Sequence, residues 1–266
     1  MNESFIATIA ALDESCGFAE YRNKYLTFPP PGIQPDGYFS YNNEAACDVF
    51  DSAFDAALNL NPCFNIYHIT DACPIAPDVL GFPGSLEYIT PGFPVYFDRE
   101  DVKRAMHAPD IEWYECSVEP VFVSPTTGPD DDYQFDTSLD PIQSVLPKVI
   151  EYTNRVLISN GDLDMVIITN GTLLSIQNMT WNGKLGFQTQ PCTPIIITEP
   201  DLMYEAVFDA NGYNGLDDPQ GTMGVQHYER GLMWAETYQS GHMQPAYQPR
   251  SSYRHIQWVL GRIDAL

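Results

Sequence analysis

Apolar residues recur at helical spacing over residues 4–12 and again over 45–58, with the proline-rich stretch 28–35 between them. This pattern predicts short helices joined by long ordered loops. Near Val95 the character changes. Asp98 is placed to cap a helix over 99–108, which Pro109 ends, and a second helix is predicted over 144–152. The run Arg155-Val156-Leu157-Ile158-Ser159 is apolar, rich in β-branched residues and broken by Asn160-Gly161-Asp162, so it reads as a buried strand followed by a tight turn. A helix is predicted over 167–179. Residues 225–228, a turn at Glu229-Arg230-Gly231, then 232–235 with Thr237 and Tyr238, form a hairpin signature. Its second strand empties onto Gln239-Ser240-Gly241-His242. A further helix is predicted over 250–260, where Tyr253, Ile256, Trp258 and Leu260 share a helical period. The acidic stretch 128–136 reads as a solvated loop, and there is no internal repeat.

The composition bounds the class. With 266 residues, 44% of them hydrophobic and 13% aromatic, the chain has the material for a substantial core. Its 12 Lys and Arg stand against 36 Asp and Glu, a formal charge of −24, which repels nucleic acid and anionic membranes as partners. That surface favours solubility, and its self-repulsion relaxes in acid as carboxylates protonate. No apolar stretch approaches the ~20 residues needed to cross a bilayer, and Met1-Asn2-Glu3-Ser4 does not begin an export signal. Five of the six cysteines fall between Cys16 and Cys116, in a loop-rich half without a C-x-x-C pair. They point to disulfides in an oxidising compartment rather than to zinc. Cys16, Cys47, Cys63 and Cys73 are the candidates, and their three possible pairings stay open. Asn2, Asn170 and Asn178 each begin an N-glycosylation acceptor triplet. A secreted or vacuolar protein that has lost its own front end fits these features.

Candidate chemistry concentrates in two loops. Gly161-Asp162-Leu163-Asp164 follows the predicted strand, and Ser240-Gly241-His242-Met243-Gln244-Pro245 follows the hairpin. A catalytic histidine offers one ring nitrogen to a nucleophile and donates from the other to a carboxylate, so both partners belong on loops at one sheet edge. Asp164 and His242 meet that requirement in the order acid, then base, that closes a Ser…Asp…His triad. No G-x-S-x-G nucleophile turn occurs in these residues. Asp162 reads as a turn residue capping local amides, and His227 as a packed strand residue. His68, His107 and His255 form no cluster suited to a metal, and no cofactor is called for.

These segments together resemble the C-terminal portion of fungal serine carboxypeptidases of the carboxypeptidase S1 type. Residues 156–164 resemble the family's strand and acid loop, and 240–245 resemble the histidine loop, with Tyr247-Gln248-Pro249 opening the next helix. Residues 96–108 and Glu115-Cys116-Ser117 are similar to two further family segments, while Cys16-Gly17-Phe18 and 25–31 resemble the insertion of the S1 type. The resemblance implies the C-terminal part of an α/β-hydrolase sheet, over 96–266, with a mainly helical, disulfide-linked insertion over 1–95. It implies Asp164 and His242 as catalytic acid and base, and Met243 as a lining residue for the substrate's last side chain. The family's glycine-rich oxyanion loop and G-E-S-Y nucleophile turn have no match here. The partner that the family gives to Cys116 is missing too, and Cys192 has no counterpart, so two unpaired thiols are expected.

The expected activity is therefore that of a serine-type carboxypeptidase, releasing C-terminal amino acids from peptides through an acyl-enzyme. The nucleophile has to come from another chain or segment, and this chain alone should be inert. Two other classes compete: a non-catalytic binding remnant that uses 1–95 as its surface, and an acyltransferase of the same architecture.

Overall fold

The computed structural model describes residues 3–35, 47–73, 95–113, 138–198 and 220–266. The acidic stretch 128–136, Cys116 and Asn2 lie outside the described residues. At the front, α1 (Glu3–Ser15) and α2 (Phe18–Tyr25) pack together, and α3 (Val49–Leu60) follows. Asp48 caps α3 by accepting the amide of Asp51 at 3.0 Å. The disulfide Cys16–Cys47 joins α1 to the start of α3, and Cys63–Cys73 closes a loop after it. Of the three pairings left open by the sequence, these two bonds select one.

A 3-10 turn, Tyr96–Asp98, precedes α4 (Glu100–Met106). Here the predicted cap fails. Asp98 closes the turn instead, its carboxylate taken up by Lys103 Nζ at 2.6 Å and the amide of Trp113 at 3.1 Å, and Arg99 stands at the N-cap position without a side-chain cap. Helix α5 (Val145–Thr153) ends at Asn154, which adopts the left-handed conformation that asparagine tolerates.

Immediately after α5 the chain enters β1 (Val156–Gly161). Then come α6 (Thr169–Gln177), the small hairpin β2 (Thr180–Trp181) and β3 (Lys184–Leu185), β4 (Thr193–Ile197), and the long hairpin β5 (Gly221–Glu229) and β6 (Leu232–Thr237). Two helices close the chain: α7 (Gln244–Tyr247) and α8 (Pro249–Val259). The main sheet has the order β1-β6-β5-β4, with β1 and β6 parallel and the other neighbours antiparallel.

Alternation along the strands sends side chains to two cores. Leu232 and Trp234 on β6, with Val156 and Ile158 on β1, face α5, α6 and the small hairpin, around Ile150, Trp181 and Phe187. Met233 and Ala235, with Leu157, face the opposite side, where Trp258 of α8, Ile195, Ile197 and Leu266 complete the layer. A sheet covered on both faces needs apolar residues at consecutive positions, and this explains the unbroken run at the start of β1. Arg155 fastens α8 to the sheet: it donates to the carbonyls of Trp258 (2.6 Å) and Ile263 (2.7 Å) while its guanidinium lies 4.5 Å from the Trp258 ring centre.

Candidate active site

The parallel pairing of β1 with β6 sets Gly161 beside Thr237, so the loops leaving both strands emerge at one sheet edge. The ladder continues past the strands. The amide of Asp162 donates to Thr237 O at 3.1 Å, and that of Leu163 to Ser240 O at 2.9 Å. Gly161 owes its identity to this closeness, because a Cβ there would stand 2.3 Å from Ser240 O and 2.4 Å from Gly241 O.

Asp164 and His242 meet at that edge. Asp164 Oδ2 lies 2.8 Å from His242 Nδ1, and the other oxygen, Oδ1, accepts the amides of Val166 at 2.8 Å and Ile167 at 3.1 Å. The Asp164 side chain is 4% exposed and that of His242 35%. The carboxylate is thereby fixed by backbone donors on one side and left to the imidazole on the other. An ionised carboxylate can only accept, so Nδ1 is the donor of this bond, and Nε2 is the ring nitrogen left for another partner.

Asp162 takes up its own backbone amide, as a turn residue does, and does more than the sequence suggested. Its Oδ1 reaches across to the amide of Ser240, at 3.2 Å, and so anchors the histidine loop. Burial raises the Asp162 carboxyl above its usual range, while the backbone amides of Ser240 and Gln239 hold it back. Burial likewise raises Glu236, opposed by a hydrogen bond from Thr169 and assisted by the charge of Asp162. Gln244 bridges the two strand ends, accepting from Thr237 Oγ1 at 3.0 Å and donating to Ser159 Oγ at 3.2 Å. Gln248 Nε2 donates to Gln239 O at 3.1 Å. Met243 is half-buried at the start of α7.

A third segment, which the sequence did not single out, lies against both loops. The amide of Met165 donates to Ile66 O (2.9 Å), that of Ile69 to Leu163 O (3.0 Å), and that of His242 to Tyr67 O (2.7 Å). Its only sequence signal was the pair Cys63 and Cys73 on either side.

The remaining candidates lie apart. His227 packs edge-on to Phe187 and sits 3.1 Å from Glu229 Oε2, on β5. His255 is 5% exposed, and burial pushes it down to about 4. Among the described residues no group of three or more His, Cys, Asp or Glu side chains is arranged to hold a metal ion. Asn170 is exposed in the first turn of α6, and Asn178 is half-buried at its end, accepting the amide of Gln34 at 2.7 Å. Cys192 is an exposed free thiol.

The chain is 59% identical to serine-type carboxypeptidase F of Aspergillus niger over all of its own length and 49% of the relative's. It is 34% identical to a carboxypeptidase Y homolog of Arthroderma benhamiae, again over its whole length and 47% of the relative's. It thus spans about half the length of the curated relatives it matches. A prohormone-processing carboxypeptidase from Saccharomyces cerevisiae, at 18% identity, superposes with a TM-score of 0.55 over 98% of this chain and 49% of that structure. Its fold is the α/β-hydrolase fold, and the sheet and helices described above belong to that architecture. The family profile for serine carboxypeptidases matches residues 10–262. With so much of its length matched, the chain belongs to the serine carboxypeptidase family.

Proposed function

We propose that this chain supplies the acid and base of a serine-type carboxypeptidase, with Asp164 orienting His242. The observation that carries the reading is the 2.8 Å contact between Asp164 Oδ2 and His242 Nδ1 at the ends of adjacent parallel strands, in a chain of this family. His242 Nε2 takes the proton of a serine hydroxyl as its oxygen attacks the last peptide carbonyl. It then passes that proton to the leaving amine, and the C-terminal amino acid departs. Water next attacks the acyl-enzyme, giving its proton to Nε2, and the serine is regenerated. Throughout, Asp164 fixes the tautomer and stabilises the imidazolium.

The serine lies outside these 266 residues, which hold no G-x-S-x-G turn. In this reading the nucleophile-bearing part seats along β1, which ends the sheet among the described residues, and over the exposed Val166, Ile167 and Ile168 next to Asp164. Residues 1–95 act as the insertion and 96–266 as part of the hydrolase core. The two disulfides and the exposed acceptor Asn170 support a secreted or vacuolar location. Among the described residues no helix is long and apolar enough to cross a membrane.

Co-expression with the part of the Aspergillus niger relative that this chain does not match tests the proposal. The assembled pair should release C-terminal amino acids from peptides and take up a fluorophosphonate on the added part. The 266-residue chain alone should take up none, and labelling of it would overturn the assignment of the nucleophile elsewhere.

A further inference from the structure

We propose that the disulfide-closed loop from Cys63 to Cys73 is a positioning element for the base, in which Tyr67 and His68 set the backbone and hold the loop of His242. The inference rests on the role given to His242 above.

The loop touches the histidine segment at three levels. Tyr67 O accepts the His242 amide at 2.7 Å, and the Tyr67 ring stands edge-on to the imidazole, 5.3 Å between centres. Gly241 lies so close beneath the loop that a Cβ on it would come within 2.0 Å of Tyr67 O and 2.8 Å of His68 Cβ. One step further along, the His68 ring stacks on Tyr247 of α7, with centres 4.0 Å apart and planes 12° from parallel. The same few residues grip the acid loop on both sides of Asp164, through Met165 with Ile66 and Ile69 with Leu163. Acid and base are therefore referenced to one common piece of backbone as well as to each other.

That piece is itself braced. His68 Nδ1 pairs with Asp71 Oδ1 at 2.7 Å, and the buried Asn65 donates to Asp71 Oδ2 at 2.8 Å while accepting the Tyr67 amide at 2.9 Å. Asn61 Nδ2 donates to Asp71 O at 2.9 Å, and Cys63–Cys73 closes the ring. A short loop with its polar groups satisfied internally and its ends bonded loses little entropy when it holds another segment. Reaction rate depends steeply on placement: an error of about 1 Å at a reacting group costs on the order of 100-fold. A positioning loop should thus act on kcat rather than on substrate affinity.

The test uses two variants, His68→Ala and Tyr247→Ala, which remove the stack from opposite sides, with Tyr247→Phe retaining it. In the enzyme assembled with the unmatched part of the Aspergillus niger relative, both alanine variants should lower kcat per titrated serine by about 10- to 100-fold. KM should stay within about two-fold, and Tyr247→Phe should restore the rate. Hydrogen exchange on the 266-residue chain provides a readout independent of peptidase activity. His68→Ala should speed exchange of the His242 amide at least ~10-fold, while the amides of the β1–β6 ladder stay protected. Unchanged kcat, or loss of kcat that Tyr247→Phe does not restore, overturns the proposal, as does an unaltered His242 amide. If the wild-type assembly cleaves no peptide yet the His242 amide responds as described, the carboxypeptidase reading fails and the positioning role stands.

Discussion

Asp164 keeps its two oxygens on separate tasks, Oδ1 on the amides of Val166 and Ile167 and Oδ2 on the imidazole. Replacing it by asparagine leaves the shape and offers Nδ1 a partner of the wrong polarity. In the assembled enzyme Asp164→Asn should lower kcat by roughly 10³- to 10⁴-fold with KM little changed, measured by peptide hydrolysis against titrated serine. Gly161 makes the opposite kind of demand, since no side chain fits there. With backbone oxygens 2.3 and 2.4 Å from the missing Cβ, Gly161→Ala must push the histidine loop away from the strand. It should cost at least ~2 kcal/mol, seen as a lowered Tm of the chain. The position of Asp164 was legible from the G-D-x-D spacing, but the demand on Gly161 was not, because the oxygens it faces belong to Ser240 and Gly241. Nor was the reach of Asp162 to Ser240, 78 residues distant.

Among the elements, those with one strong period were legible. The apolar run before Asn160 gave β1, and the hairpin signature gave β5 and β6, though β1 and β5 extend beyond the pattern while β6 stops at Thr237, one residue short of it. Strand β4 escaped because Pro194 near its start and the exposed Ile196 interrupt the alternation on which strand reading depends. The loop 61–73 has no period at all. Its shape is fixed by side-chain bonds and a disulfide within it and by contacts to the loops of Asp164 and His242 far along the chain, which a local pattern cannot carry. Helix α8 was read correctly, and its weight can be measured. Trp258 is 2% exposed, packs against Ile195, Met233 and Leu266, and lies under the Arg155 guanidinium. Trp258→Ala should destabilise the chain by about 3–5 kcal/mol in denaturant unfolding, and Arg155→Ala by less.

For the whole molecule the dominant quantity is a charge of −24 on 266 residues. Acidification from pH 7 removes repulsion among these carboxylates, and Asp162 and Glu236, both raised in the folded state, act in the same direction. Their contribution is complete below their unfolded values and is lost as pH rises through the folded ones. His255 opposes them. Its folded value of about 4 against an ordinary 6.5 gives stability that is present above 6.5 and lost as pH falls towards 4, on the order of 3 kcal/mol. Thermal melting should therefore show Tm falling as pH drops below about 6.5, with the carboxylates offsetting that fall towards pH 4, and His255→Gln should flatten it. The neighbouring strands that lead to Asp164 and His242 also relieve the intervening chain of a constraint. Because a hydrogen-bonded ladder sets the gap between carboxylate and imidazole, the 78 positions from one to the other need not have a fixed length. Insertions or deletions there that spare the sheet would leave the reacting geometry where it was, so this stretch is free to diverge while the chemistry stays put.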